Sequence, residues 1–175
     1  MAKFMIKETI ASTDANTVRL GAGSGSANYL TDKEVGKFAK YANAESRFDL
    51  CAAGDVIESQ IVAVEGATAD DYSIGAVKEE GYVEVTFDGL QATAGTGTIA
   101  AGDYVVTGTV VAKGTALTAA PKVCKATIQP GDTPASLAAA GAQIKAALFA
   151  WRVVSLGSAG TGAVGTVGVI ERVSA

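Results

Sequence analysis

Apolar and polar side chains alternate with a period of two along most of this chain. The clearest run is GYVEVTFDG, where Val83, Val85 and Phe87 point one way and Tyr82, Glu84 and Thr86 the other. Glycines bracket it, which predicts a half-buried antiparallel strand. The preceding DYSIGAVKEEG reads as its hairpin partner, with Glu79, Glu80 and Gly81 as the turn. KFMIKET places Phe4 and Ile6 opposite Lys3, Met5 and Lys7. Near the other end, Trp151, Val153 and Ser155 alternate with Arg152, Val154 and Leu156. A last strand carries Val167, Val169 and Val173 against Ile170 and Arg172.

Departures from the pattern are as informative. In DVIESQIVAVE, Ile57, Ser59 and Ile61 form one set, and Val62 and Val64 then belong to the opposite set. This slip near Gln60 predicts either a bulge or a second half covered on both faces. Gly108 interrupts YVVTGTVVAK and predicts a bend or bulge. TDKEVGKFAKYA has capping-box spacing at Thr31 and Glu34, but Gly36 comes close behind. One helical turn and then a strand from about Lys37 is expected. PGDTPASLAAAGAQIKAALF is the best true helix, capped by Thr133 with Pro134 first and Leu137, Ile144 and Leu148 on one face.

Sequential short strands, one modest helix and no βαβ rhythm predict an all-β fold. The expectation is a single-domain antiparallel β-barrel or sandwich with at most one short helix, near residues 134–148. Residues 1–28 form an N-terminal strand or arm and a Gly-rich loop. Residues 29–175 form the barrel or sandwich, one domain overall. The tetrapeptide AAGD occurs at 52–55 and again at 100–103. The segments downstream of the two copies differ, so they are not a solenoid repeat. Each is a corner that starts a core strand: glycine permits the turn, and aspartate is expected to bond the backbone two residues on.

Composition narrows the chemistry. The 175 residues are 49% hydrophobic and 18% charged, enough for a packed core. Twenty-one glycines against three prolines suit many tight corners. A net charge of -4 and a pI near 4.8, with no basic cluster, argue against nucleic acid as a partner. After Lys125 the only acids are Asp132 and Glu171. That nearly neutral stretch is either packed inside or meets another protein.

There is no histidine, which removes Ser-His-Asp and Cys-His nucleophilic sites and the usual zinc and iron sites. The acid pairs Asp70-Asp71 and Glu79-Glu80 sit at corners expected to be solvated. LGAGSGSANYL matches neither GxGxxG nor a GK[ST] loop and reads as a flexible loop. ADDYSIG lacks calcium-loop spacing and reads as a turn entering a strand. Cys51 and Cys124 lie in apolar runs without metal-ligand spacing and read as buried free thiols. No secretory leader or bilayer-length apolar stretch appears, so synthesis in the cytoplasm is expected. The expectation is a protein that is not an enzyme, with no cofactor, no metal site and no membrane partner.

YLTDKEVGKFAKYA, RFDLCAAGDVIESQIVAVE, DYSIGAVKEEGYVEVTFDG, AAGDYVV and the closing WRVVSLGSAGTGAVGTVGVIERV come in an order that resembles the decoration, or cement, proteins of tailed bacteriophages. The resemblance covers about two-thirds of the chain. It starts at Tyr29, and residues 1–28 carry none of it. It rests on structural corners, and no catalytic residue is carried over. It implies a β-rich structural virion protein on the outer capsid surface, made in the bacterial host cytoplasm. The implied partner is the major capsid protein, with a homo-oligomer, trimer or dimer, as a further implication. Under that reading the candidate contacts are the arm at Lys3, Phe4 and Met5, the loop of residues 21–28, and Trp151. Phe4 and Trp151 read equally as ordinary core residues. The alternative is another phage virion β-module, a tail or fibre component, or a carbohydrate-binding surface domain. Scarce, scattered aromatics disfavour a sugar site.

Overall fold

Valine, isoleucine and aromatic side chains at alternate positions favour strands because one face can be buried while the other stays wet. The computed structural model describes residues 15–42, 47–69, 71–129 and 151–173. The chain is all-β, as its alternation predicts, but the strands close two rings.

The first ring contains β1 (Ala15–Leu20), β2 (Phe38–Ala42), β3 (Arg47–Leu50), β4 (Ser59–Ala67) and β5 (Ser73–Lys78), in the order β1-β3-β2-β4-β5. β5 returns antiparallel to β1, with Thr17 opposite Ala76, and closes it. The second ring contains β6 (Tyr82–Leu90), β8 (Tyr104–Thr107), β9 (Lys122–Lys125), β10 (Trp151–Ser155) and β11 (Val167–Arg172). Their order is β6-β9-β8-β10-β11, closed by pairing of β11 with β6. The short β7 (Thr93–Ala94) folds back on β6.

Both rings share one plan. Their first and third principal strands run parallel, β1 with β3 and β6 with β9, and the other pairs are antiparallel. The predicted β5–β6 hairpin is therefore not formed. β5 has β1 and β4 on its two edges, and β6 has β11 and β9. The turn itself exists, with Gly81 at φ +85, but it is the joint between rings.

Local expectations fare better. β6 buries Val83, Val85 and Phe87 and exposes Tyr82 and Glu84, while Thr86 is covered where its hydroxyl donates to the Ala120 carbonyl at 3.2 Å. Thr31 and Glu34 form the capping box of a 3-10 turn at Asp32–Glu34, and β2 begins at Phe38. The phase slip in β4 is a register shift between Ile61 and Ala63, which leaves Ile61 buried and Val62 exposed. β8 ends at Thr107, and Gly108 passes against Asp88, where a Cβ would lie 3.0 Å from the aspartate Cβ. The second half of that run is no strand. Cys51 and Cys124 are free and buried. β1 was not evident from its sequence. The predicted helix near 134–148 lies outside the described residues.

The two AAGD corners have the same construction. Gly54 and Gly102 take φ of +83 and +89. The Asp55 and Asp103 carboxylates each accept the N–H of the alanine three residues earlier, both at 2.7 Å. The carboxylate thus reaches back across the turn, not two residues forward as expected. Each also meets a lysine: Lys40 on Asp55 at 2.6 Å and Lys125 on Asp103 at 2.9 Å. Their settings differ. Asp103 leads directly into β8. Gly54 and Asp55 instead pair with Thr107 at the far end of β8, at 2.8 and 3.0 Å, and so bind the first ring to the second.

Apolar packing crosses the same boundary. The second ring encloses Val83, Val85, Phe87, Val105, Val123, Trp151, Val153 and Ile170, and Phe38, Cys51 and Ile57 from the first half of the chain join that cluster. The first ring holds a smaller cluster around Leu20, Leu30, Ala39, Phe48, Ile61 and Val77. The Arg172 guanidinium completes the seam by donating to the Glu58 and Glu79 carbonyls at 2.9 and 3.0 Å.

Candidate interaction surfaces

Among the described residues no group of three or more His, Cys, Asp or Glu side chains is placed to hold a metal ion. Of the acid corners, Asp71 takes φ +66 at the turn into β5 and accepts the Tyr29 hydroxyl. Glu79 accepts the Asn16 amide at 2.8 Å. Both thiols are quiet: burial pushes Cys51 up to about 12 and Cys124 up to about 11, far from the thiolate range at neutral pH.

The anticipated contact residues separate. Lys3, Phe4 and Met5 lie outside the described residues. Trp151 is 1% exposed on β10, inside the second ring, so of its two readings the geometry supports the core anchor. The loop of residues 21–28 is tied down. Arg47 donates to the Gly21 and Ala22 carbonyls, both at 2.7 Å, and the Gly25 N–H donates to the Asp71 carbonyl at 2.9 Å.

Two surfaces were not found by sequence reasoning. The first is the outward side of β6, β11 and β10. Register sets Tyr82 opposite Glu171, Glu84 opposite Val169 and Thr86 opposite Val167. Tyr82 is 66% exposed, Val167 44% and Val154 37%. The Arg152–Glu171 ion pair, at 2.8 Å, lies beside them. Exposed apolar side chains interleaved with Glu84, Arg152 and Glu171 have the mixed make-up of a non-obligate protein-binding surface.

The second is a groove of about 460 Å³ between the rings. Phe38, Leu50 and Cys51 line one side. The other is a strap of residues 109–120, without helix or strand, that links β8 to β9 and contributes Val110 and Leu117. Two carboxylates hold the strap. Asp88 accepts the Thr109 N–H at 2.8 Å, and Lys122 lies 3.3 Å from its other oxygen. Glu34, fully buried, accepts the Gly114 N–H at 2.6 Å as well as the Thr31 N–H and hydroxyl. Lys37, also buried, sits 3.4 Å from Glu34 and donates to the strap carbonyl of Ala112 at 2.9 Å. Burial alone would raise both acids. The Thr31 and Gly114 donors with Lys37 hold Glu34 below its ordinary value, and Thr109 with Lys122 does the same for Asp88.

Comparison with known proteins finds no matching family model, no similar curated protein and no similar solved structure.

Proposed function

We propose that this chain is a structural virion protein of a tailed bacteriophage, a decoration module that docks on the outside of the capsid and stabilises the shell. The observation that carries the reading is the β6-β11-β10 face. It puts Tyr82, Val154 and Val167 on a closed, hydrogen-bonded sheet, where they stay exposed outside the core. A rigid sheet face suits docking on a repeating surface, because little side-chain or backbone order is lost on binding. The order of sequence segments that resembles phage cement proteins adds to this.

The test mixes purified protein with undecorated shells of the same phage. Saturation at a fixed ratio to shell subunits supports the reading. The double variant Tyr82→Ser, Val167→Asp should fold normally and bind at least tenfold more weakly. Protein that ignores shells but binds glycans in the same buffer would instead point to the carbohydrate-binding alternative.

A further inference from the structure

The groove between the rings has core residues Phe38 and Cys51 in one wall and the strap as the other, and its charged lining residues are all lysines. Lys37, Lys113 and Lys122 contribute to it, and among the described residues no acid does. This stands out in a chain whose net charge is -4. Lys37 faces Glu34 and Lys122 faces Asp88, both outside the lining, while Lys113 donates to the Ala27 carbonyl. Among the described residues, Lys113 is thus the groove cation that no carboxylate balances.

We infer that this groove receives an apolar segment of a partner protein carrying at least one carboxylate. If the chain decorates a capsid, that partner is the shell protein, so the inference rests on the capsid reading. Aliphatic side chains would lie against Leu50, Val110 and Leu117, and the carboxylate would face Lys113. Exposure of the walls decides between a segment and a small ligand. Ala52, Thr109, Ala112, Thr118 and Ala119 line the groove and are all exposed, whereas a small-molecule site encloses most of its ligand. An open trough with apolar walls and one unbalanced cation, Lys113, instead fits an apolar chain carrying a carboxylate laid along it.

Two variants test this on the full-length protein with undecorated shells as the probe. Ala119→Trp fills the groove, and Lys113→Glu reverses its charge. Both sites are exposed, so thermal unfolding should match the wild type within a few degrees. Each variant should bind shells at least tenfold more weakly. Wild-type binding with both variants unchanged overturns the groove and leaves the capsid reading intact. Wild-type failure to bind any shell overturns both. If Ala119→Trp instead converts a dimer of the free protein into a monomer by light scattering, the groove belongs to a second copy and the inference is wrong. A small molecule co-purifying with the wild type and absent from Ala119→Trp in native mass spectrometry also overturns it.

Discussion

The two rings share strand order and strand sense but not their contents. The first closes around a modest cluster centred on Leu20, Phe48 and Ile61. The second has Trp151 and Phe87 at its centre and draws Phe38, Cys51 and Ile57 out of the first half of the chain. One plan can therefore be filled by quite different side chains, provided each strand keeps its alternation and each corner its geometry. The unequal cores also mean that the first ring depends on the second for part of its burial.

That asymmetry can be broken most forcefully at the core. Trp151→Ala should cost about 4 kcal/mol and Leu20→Ala about 3 kcal/mol, measured by urea unfolding. Both variants should still unfold in one transition, because the larger cluster spans the halves. Two resolved calorimetric steps, or a larger loss for Leu20→Ala, would defeat this view of the rings.

The strap comes next. Glu34→Gln leaves Lys37 buried without its countercharge and should cost about 3 kcal/mol. Acid acts in the same direction. Glu34 and Asp88 have folded pKa values below their unfolded ones, so their contribution is complete above the ordinary carboxylate range, about 4. It is lost as pH falls through the lower folded values. The urea midpoint should drop on acidification below about pH 4, and less steeply in Glu34→Gln. An equal slope in the variant would remove Glu34 from the explanation.

The smallest difference separates the two AAGD corners. Asp103→Ala should cost about 2 kcal/mol, since the lost bond is charge-assisted and Asp103 is the better buried of the two. Asp55→Ala should cost about 1 kcal/mol, nearer the value of a surface ion pair. Equal losses would show that the turn alone, and not its surroundings, sets the value of the carboxylate.

Local features were legible because local rules produce them. The alternation around Val83 and Val85, the Thr31–Glu34 cap and the slipped phase past Gln60 all arise from residues within a few positions of one another. Partner choice was not legible. DYSIGAVK and GYVEVTFDG are adjacent and both strand-like, yet they do not pair: β5 takes the preceding β4 and the distant β1, and β6 takes the distant β9 and β11. β1 was missed because ANTVRL offers only Val18 and Leu20 as apolar residues beyond its leading alanine. The start of the strap, up to Lys113, was read as part of a strand because Val110 and Val111 look the same in sequence whether buried or exposed. The surfaces of both proposals depend on such non-local placement. Trp151, the most conspicuous residue for an interface, was needed inside.

The joint at Glu79, Glu80 and Gly81 has a consequence for how the molecule could be taken apart. Among the described strands the chain passes from one ring to the other once, so a cut there leaves each of those strands in one piece. The N-terminal fragment would then carry Phe38, Cys51 and Ile57 uncovered, and the C-terminal fragment the apolar hollow that takes them. Separated at that point, folding becomes recognition: the fragments would find each other through the surface that the intact chain uses as its interior.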